Sequence, residues 1–218
     1  MTMKLVIGNR NYSSWSMRPW VCLRAANIPF EEIFIPLYTG DADKQRILDV
    51  SPAGKVPALI DGGITVWDSL AIIEYVAEKY PDAKLWPGDR AARAHARAIA
   101  AEMHSGFMAL RSECGMNLHR PVEAKALSPQ ARADVDRIQA IWSDCRARHG
   151  SAGPYLFGAF TAADAMYAPV VHRFRTYAIE TGPAVRDYMA AMQAHPAFAA
   201  WTEAGLAETI VIPRLETD

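Results

Sequence analysis

The chain has 218 residues, 51% hydrophobic and 22% charged, with a formal net charge of -1. That length allows one large domain or two modest ones around an ordinary buried core. The near-zero charge gives no whole-chain attraction to nucleic acid, and no apolar run approaches the roughly 20 residues that span a bilayer.

The N-terminus lacks a charged region followed by a long apolar segment, so no secretory signal is read and a soluble, cytoplasmic protein is expected. Cys22, Cys114 and Cys145 are widely spaced and form neither a zinc pattern nor a Cys-x-x-Cys redox motif. Each reads as a small buried hydrophobe, and no metal site is expected. In chain order, Lys4 to Ile7 reads as a strand ending at Gly8. The polar run Asn9 to Ser16 follows, then a helix from about Ser16 to Asn27, stopped by Pro29. Glu31 to Pro36 reads as a second strand and Asp41 to Asp49 as a short polar helix or turn.

The stretch from Ser51 to Ile73 organises the rest. Pro57 cannot donate to a sheet ladder, so it precedes the strand Ala58-Leu59-Ile60. Asp61-Gly62-Gly63 is a turn signal between two strand-like runs. Asp68 or Ser69 can cap the helix that follows, whose free N–H groups favour an anionic ligand group. Strand, helix, strand, then hairpin and helix is a thioredoxin-like βαβ-ββα order. Pro81 to Asp89 reads as a linker. Beyond it the pattern is all-helical: Arg90 to Glu113, Pro129 to His149, Ala162 to Tyr177, Pro183 to Ala194 and Ala197 to Leu206. This reading divides the chain into 1-80, linker 81-89 and 90-218, with the tail Pro213–Asp218 expected to be mobile. Thr161-Ala162-Ala163-Asp164 fits a capping box, with Phe160 stapled onto a residue such as Ala165, and Asp164 is read as a folding residue.

Val56-Pro57, Asp68-Ser69 and the Thr161 box resemble the motifs of the glutathione transferase family, and the resemblance spans the whole chain. It implies an N-terminal thioredoxin-like domain binding glutathione as co-substrate and a C-terminal all-helical domain lining a second-substrate site. It further implies a cis Val56-Pro57 bond, a Val56 backbone pairing with the cysteinyl part of glutathione, and Asp68 and Ser69 holding the γ-glutamyl carboxylate. A homodimer is implied too, with a small electrophile as second substrate and neither nucleic acid nor membrane as partner.

Tyr12, Ser13, Ser14 and Ser16 lie where a ligand thiol would meet a hydroxyl donor and helix N–H groups, both of which stabilise a thiolate. The run Ser13-Ser14-Trp15-Ser16 resembles the Ser-Ser-Cys-Ser of the zeta class, which includes maleylacetoacetate isomerases. By that match Ser13 and Ser14 are the catalytic candidates, and Trp15, standing where zeta proteins have Cys, walls the second-substrate pocket. Tyr12 is a rival hydroxyl. Lys55 is placed to reach the glycine carboxylate of glutathione, while Arg18 is open to the ligand or to Glu74, with the structural pair to Glu74 preferred. His104, Phe107, Met108 and Arg111 fall at helical spacings and are expected to share a pocket-facing side of the long helix after the linker. Arg175 lies near the point where zeta isomerases bind a dicarboxylate. Conjugation and cis-trans isomerisation both stay open. A non-catalytic glutathione-binding module is the alternative, and a disulfide reductase is weakened by the absence of cysteine from residues 9 to 18.

Overall fold

The structure, a computed structural model, describes residues 2–216. Strand β1 (Met3–Ile7) is central. It pairs in parallel with β2 (Phe30–Phe34) and antiparallel with β3 (Ala58–Asp61), which pairs antiparallel with β4 (Ile64–Trp67). Helix α1 (Ser14–Ala25) connects β1 to β2, α2 (Asp41–Val50) connects β2 to β3, and α3 (Ser69–Lys79) follows β4. Leu5, Ile7 and Leu59 face a core shared with α1 and α3, while Val6 and Ala58 face Ile47 of α2. Both faces of β1 are therefore covered, which is why its sequence runs apolar instead of alternating. The β3–β4 hairpin closes at Gly62-Gly63, with Gly62 left-handed at φ 59.

The helical part comprises α4 (Arg90–Ser105), α5 (Met108–Glu113), α6 (Pro129–His149), α7 (Ala162–Thr176), α8 (Pro183–Ala194) and α9 (Pro196–Leu206). Together the two parts make a thioredoxin-like domain followed by an all-helical one. Helix α7 is buried along its length, with Arg175 its one residue outside the interior. Trp142 of α6 packs edge-on against Tyr188 of α8 at 4.9 Å and against Tyr167 of α7 at 5.7 Å between centroids. Trp20 of α1 meets Trp201 of α9 at 5.3 Å, joining the two domains. The capping box at α7 is present. The Asp164 carboxylate accepts from the Thr161 N–H at 2.8 Å, the Thr161 hydroxyl at 3.0 Å and the Leu156 N–H at 3.0 Å. Burial pushes its carboxyl up to about 6.

Two expectations are corrected. The helix expected from Arg90 to Glu113 is two helices. Gly106 closes α4 by donating to the Glu102 carbonyl at 2.8 Å, and a Cβ on Gly106 would meet that oxygen at 2.8 Å. Phe107 is left-handed at φ 60. Arg111 reaches back to satisfy the last α4 carbonyls, at 2.9 Å to Gly106 and 3.2 Å to His104. Phe160, before the cap, packs against the core cluster that contains Ala165, and its ring also lies against those of His195 at 4.4 Å and Tyr155 at 5.4 Å.

The tail is held through Glu216, while Thr217 and Asp218 lie outside the described residues. Ile212 is buried and donates its N–H to the Tyr12 hydroxyl at 3.3 Å. The Glu216 carboxylate accepts from Tyr12 and, at 3.1 Å, from Asn117. Upstream, Glu208 accepts from the Arg10 N–H at 2.7 Å. The tail's polar groups thus fasten the loop that precedes α1.

Removing the Asp164 carboxylate would strand three buried donors. We expect Asp164→Ala to lower unfolding stability by about 3 kcal/mol, measured by denaturant titration of the purified chain. A loss under about 1 kcal/mol would deny the box its structural weight.

Candidate active site

The loop before α1 brings two hydroxyls together. Ser13 caps the helix, its Oγ accepting from the Ser16 N–H at 3.3 Å, and the Ser13 and Ser16 hydroxyls share a hydrogen bond at 2.8 Å. The Ser16 Oγ also accepts from the Gly8 N–H at 3.1 Å. Because a hydroxyl both donates and accepts, Ser16 can give its proton to Ser13, leaving the Ser13 proton to point at a ligand. Ser14 opens the helix beside it and no protein group among the described residues bonds its hydroxyl. Tyr12 is differently employed. Its hydroxyl bonds the tail at Glu216 and Ile212, and burial together with the Glu216 carboxylate raises its pKa.

Opposite this loop stand the cis Val56-Pro57 bond and the start of α3. Asp68 caps α3, with Oδ1 accepting from the N–H groups of Leu70 at 2.9 Å and Ala71 at 3.2 Å. Its Oδ2 lies 2.6 Å from His104 Nε2, so α4 is tied to the capping residue. The Ser69 hydroxyl is buried with no partner. A buried hydroxyl that lacks a protein partner and borders a cavity is free to bond a ligand group. Trp15, Lys55, Val56, Asp68, Ser69 and His104 line one cavity of about 450 Å³. A second cavity of about 900 Å³ is lined by Tyr12, Ser13 and Ser14 on one side and by Leu37, Tyr38 and Lys44 on another. Trp15, Lys55 and Val56 line both.

The remaining candidates separate. His104 meets the edge of Trp15 at 5.4 Å. Arg111 does not project into either cavity; its guanidinium lies 4.7 Å from the Trp15 ring centroid and bonds α4 carbonyls. The break at Gly106 splits the expected face: Phe107 is buried in the core and Met108 is 64% exposed, away from both cavities. Arg175 stands apart from both cavities. It is the exposed residue of α7 and lies in an outer groove with His172 and Phe198. Arg173, two residues earlier and so on the opposite side of the helix, points inward and donates to the Cys114 carbonyl at 2.8 Å. Arg18 does not pair with Glu74, which is bound by Arg97 at 2.9 Å; Arg18 is buried and donates to the Met166 carbonyl at 3.0 Å.

Sequence reasoning missed Trp67 in the smaller cavity and Lys44, Tyr38, Arg214 and Leu215 in the larger. Lys44 gave no signal beyond a polar helix. Arg214 and Leu215 belong to the tail, and their approach depends on Tyr12 and Asn117 anchoring Glu216 from distant points of the chain.

All three cysteines are buried. Burial pushes the thiols of Cys22 and Cys145 up to about 12 and that of Cys114 up to about 11, which suits none of them to nucleophilic work. Among the described residues no cluster of His, Cys, Asp and Glu could hold a metal ion, and no helix is long and apolar enough to cross a membrane.

Comparison with known proteins bears on these features. Residues 12–79 match the model of the glutathione S-transferase N-terminal domain and residues 92–204 that of the C-terminal domain. The chain is 29% identical to a probable maleylacetoacetate isomerase of Caenorhabditis elegans, over 86% of this chain and 90% of that protein. It is 30% identical to Glutathione S-transferase Z2 of Arabidopsis thaliana, over 73% of this chain and 72% of that one. A glutathione transferase homologue from Burkholderia GL BGR1, solved with bound glutathione, superposes with a TM-score of 0.72 at 25% identity, covering 95% of this chain and 100% of that one. With both domain models matched and the sheet, the cis proline and the capping box in place, the chain belongs to the glutathione S-transferase family.

Proposed function

We propose that this protein binds glutathione in the groove between the α1 loop and the start of α3 and activates its thiol with the Ser13 hydroxyl. The observation that carries this reading is the pairing of a serine loop at one end of the groove with the unpartnered Ser69 hydroxyl at the other. The γ-glutamyl carboxylate takes the Ser69 hydroxyl and the positive end of α3, and the γ-glutamyl ammonium takes the Asp68 carboxylate. The Val56 backbone pairs with the cysteinyl part, and Lys55 attracts the glycine carboxylate. The thiol then lies at the start of α1, near Ser13 and Ser14. A hydrogen bond from Ser13, supported by Ser16 and Gly8, stabilises the thiolate more than the thiol and lowers its pKa.

The second substrate is a small electrophile held in the larger cavity beside Trp15. Attack of the thiolate on it gives a conjugate. With a conjugated cis double bond, addition, rotation about the resulting single bond and expulsion of the thiolate give the trans isomer. Similarity to a probable maleylacetoacetate isomerase and a zeta-class transferase supports testing both outcomes. The same reading divides the chain at residues 81-89, places it in the cytoplasm where reduced glutathione is supplied, and makes it a homodimer. Light scattering at micromolar concentration should give twice the 24.0 kDa chain mass, and a monomer would remove the dimer from the proposal.

Calorimetric titration with glutathione, followed by thiolate absorbance of the complex, tests the central claim. Ser13→Ala should raise the bound thiol pKa and slow conjugation of a chlorodinitrobenzene about 100-fold, with glutathione affinity within a few-fold of wild type. An unchanged thiol pKa would move the role to Ser14 or to a backbone N–H. Ser16→Ala should produce a smaller shift in the same direction. Ser69→Ala should weaken glutathione binding about 10-fold, one charge-assisted hydrogen bond; unaltered affinity would refute the γ-glutamyl placement. Binding with an ordinary thiol pKa and no turnover of maleylacetone or the aryl chloride would identify a glutathione-holding module instead of an enzyme.

A further inference from the structure

Asp68, the carboxylate assigned above to the γ-glutamyl ammonium, is shared with a side chain of the second domain. Its Oδ1 accepts from the Leu70 and Ala71 N–H groups, and its Oδ2 lies 2.6 Å from His104 Nε2 on α4. A carboxylate only accepts, so Nε2 carries a proton and donates it to Oδ2. Asp68 is left-handed at φ 78, a backbone that a residue other than glycine keeps only when its surroundings hold it. The α3 cap fixes one carboxylate oxygen and His104 fixes the other.

The imidazole stands in the wall of the smaller cavity, and its side chain is 29% exposed, so it exchanges protons with water. Most charges that face it are positive. From the loop before β3, Lys55 shares the cavity. From α5, Arg111 donates to the His104 carbonyl at 3.2 Å and lies 4.7 Å from the centroid of Trp15, whose ring meets that of His104 edge-on. From α1, Arg18 lies 4.2 Å from the same indole centroid. On α4 itself, Glu102 is bound by Arg137 at 2.7 Å. Among the described residues Asp68 is the one carboxylate that lines this cavity. A second proton on His104 therefore changes what Asp68 can hold. The neutral imidazole takes one lone pair of Oδ2 and leaves the other for a ligand ammonium. The imidazolium neutralises the carboxylate and sets a like charge beside that ammonium.

We propose that His104 is a positioning residue for Asp68 and that glutathione binds the form in which His104 is neutral, so that binding drives a proton off the imidazole. The inference rests on the placement of the γ-glutamyl ammonium given above. Affinity and proton release are two sides of one coupling: a ligand that expels a proton binds more weakly as protons become plentiful. The groove takes up glutathione at neutral pH and releases it on acidification, with the thiol and the serine loop uninvolved. Because α4 supplies the imidazole, the ammonium site is complete only when the two domains are packed together.

S-methylglutathione is the probe, because its blocked sulfur has no proton to lose and its ammonium and carboxylates keep their charges between about pH 5 and 7. The full chain is titrated calorimetrically at about pH 5.5 and about pH 7, the span over which an imidazole changes charge, in two buffers of different ionisation enthalpy. We expect heats that differ between the buffers in the sense of proton release, and affinity about five-fold weaker at the lower pH. His104→Gln keeps an N–H for Asp68 but cannot titrate. It should bind as wild type does at the higher pH, lose the buffer dependence and flatten the pH profile. His104→Ala, which loses the donor as well, should bind about ten-fold more weakly at the higher pH. Proton release that persists in His104→Gln, or wild-type binding with no proton exchange, overturns the role of His104 and leaves the glutathione reading intact. No binding of the probe at either pH refutes the glutathione reading and this inference with it.

Discussion

Everything in this molecule is arranged around one buried helix. From Ala162 to Thr176, α7 surrenders all of its side chains but Arg175 to the interior. It packs on α1 of the first domain as well as on α4 and α8 of the second. A helix enclosed on every side has no water to satisfy its first N–H groups, so its start must be capped from within the chain. Asp164 does this and also secures the Leu156 N–H of the preceding turn. The cost is a carboxylate in a dry interior, visible in its raised pKa.

That enclosure reaches the site through α1. Because α1 lies against α7, the loop at its N-terminus is held in a fixed relation to both domains. Ser13 caps the helix with the same hydroxyl that the proposed chemistry uses, so positioning and reactivity share one oxygen. The opposite wall is fixed in a similar way. Asp68 holds the start of α3 with one carboxylate oxygen and His104 of α4 with the other. Each wall of the groove is thus pinned by a side chain that also serves a helix end, and glutathione would enter a groove largely formed in advance.

Electrostatics sets the character of the floor. The positive end of α1 and the guanidinium groups around Trp15 point the same way, toward stabilising negative charge. Trp15 lines both cavities and lies against the guanidinium groups of Arg18 and Arg111. A cysteine there would leave that surface open. An indole closes it and places an electron-rich face against two cations. The departure from the Ser-Ser-Cys-Ser pattern at this residue therefore sets an aromatic ring beside two guanidinium groups.

What the sequence by itself determined is whatever local chemistry dictates. The strand order follows from the glycine turn at Asp61-Gly62-Gly63 and the helix that follows Trp67. The α7 start follows from Thr161 and Asp164, and the α3 cap from Asp68. These signals act within a few residues, where backbone donors and acceptors must find partners whatever the rest of the chain does. The break at Gly106 was obscured by an alanine-rich run of good helix formers and became real only when Arg111 turned back onto the α4 carbonyls. Tertiary structure alone decided the rest. Helix periodicity puts Arg173 and Arg175 on opposite sides of α7, but packing decided which enters the interior and which faces an outer groove. It also fastened the tail across the α1 loop through Glu208 and Glu216. Both depend on groups about 60 to 200 positions apart along the chain. Composition and periodicity carry no record of such pairings, because their strength arises only after packing has removed the water between them.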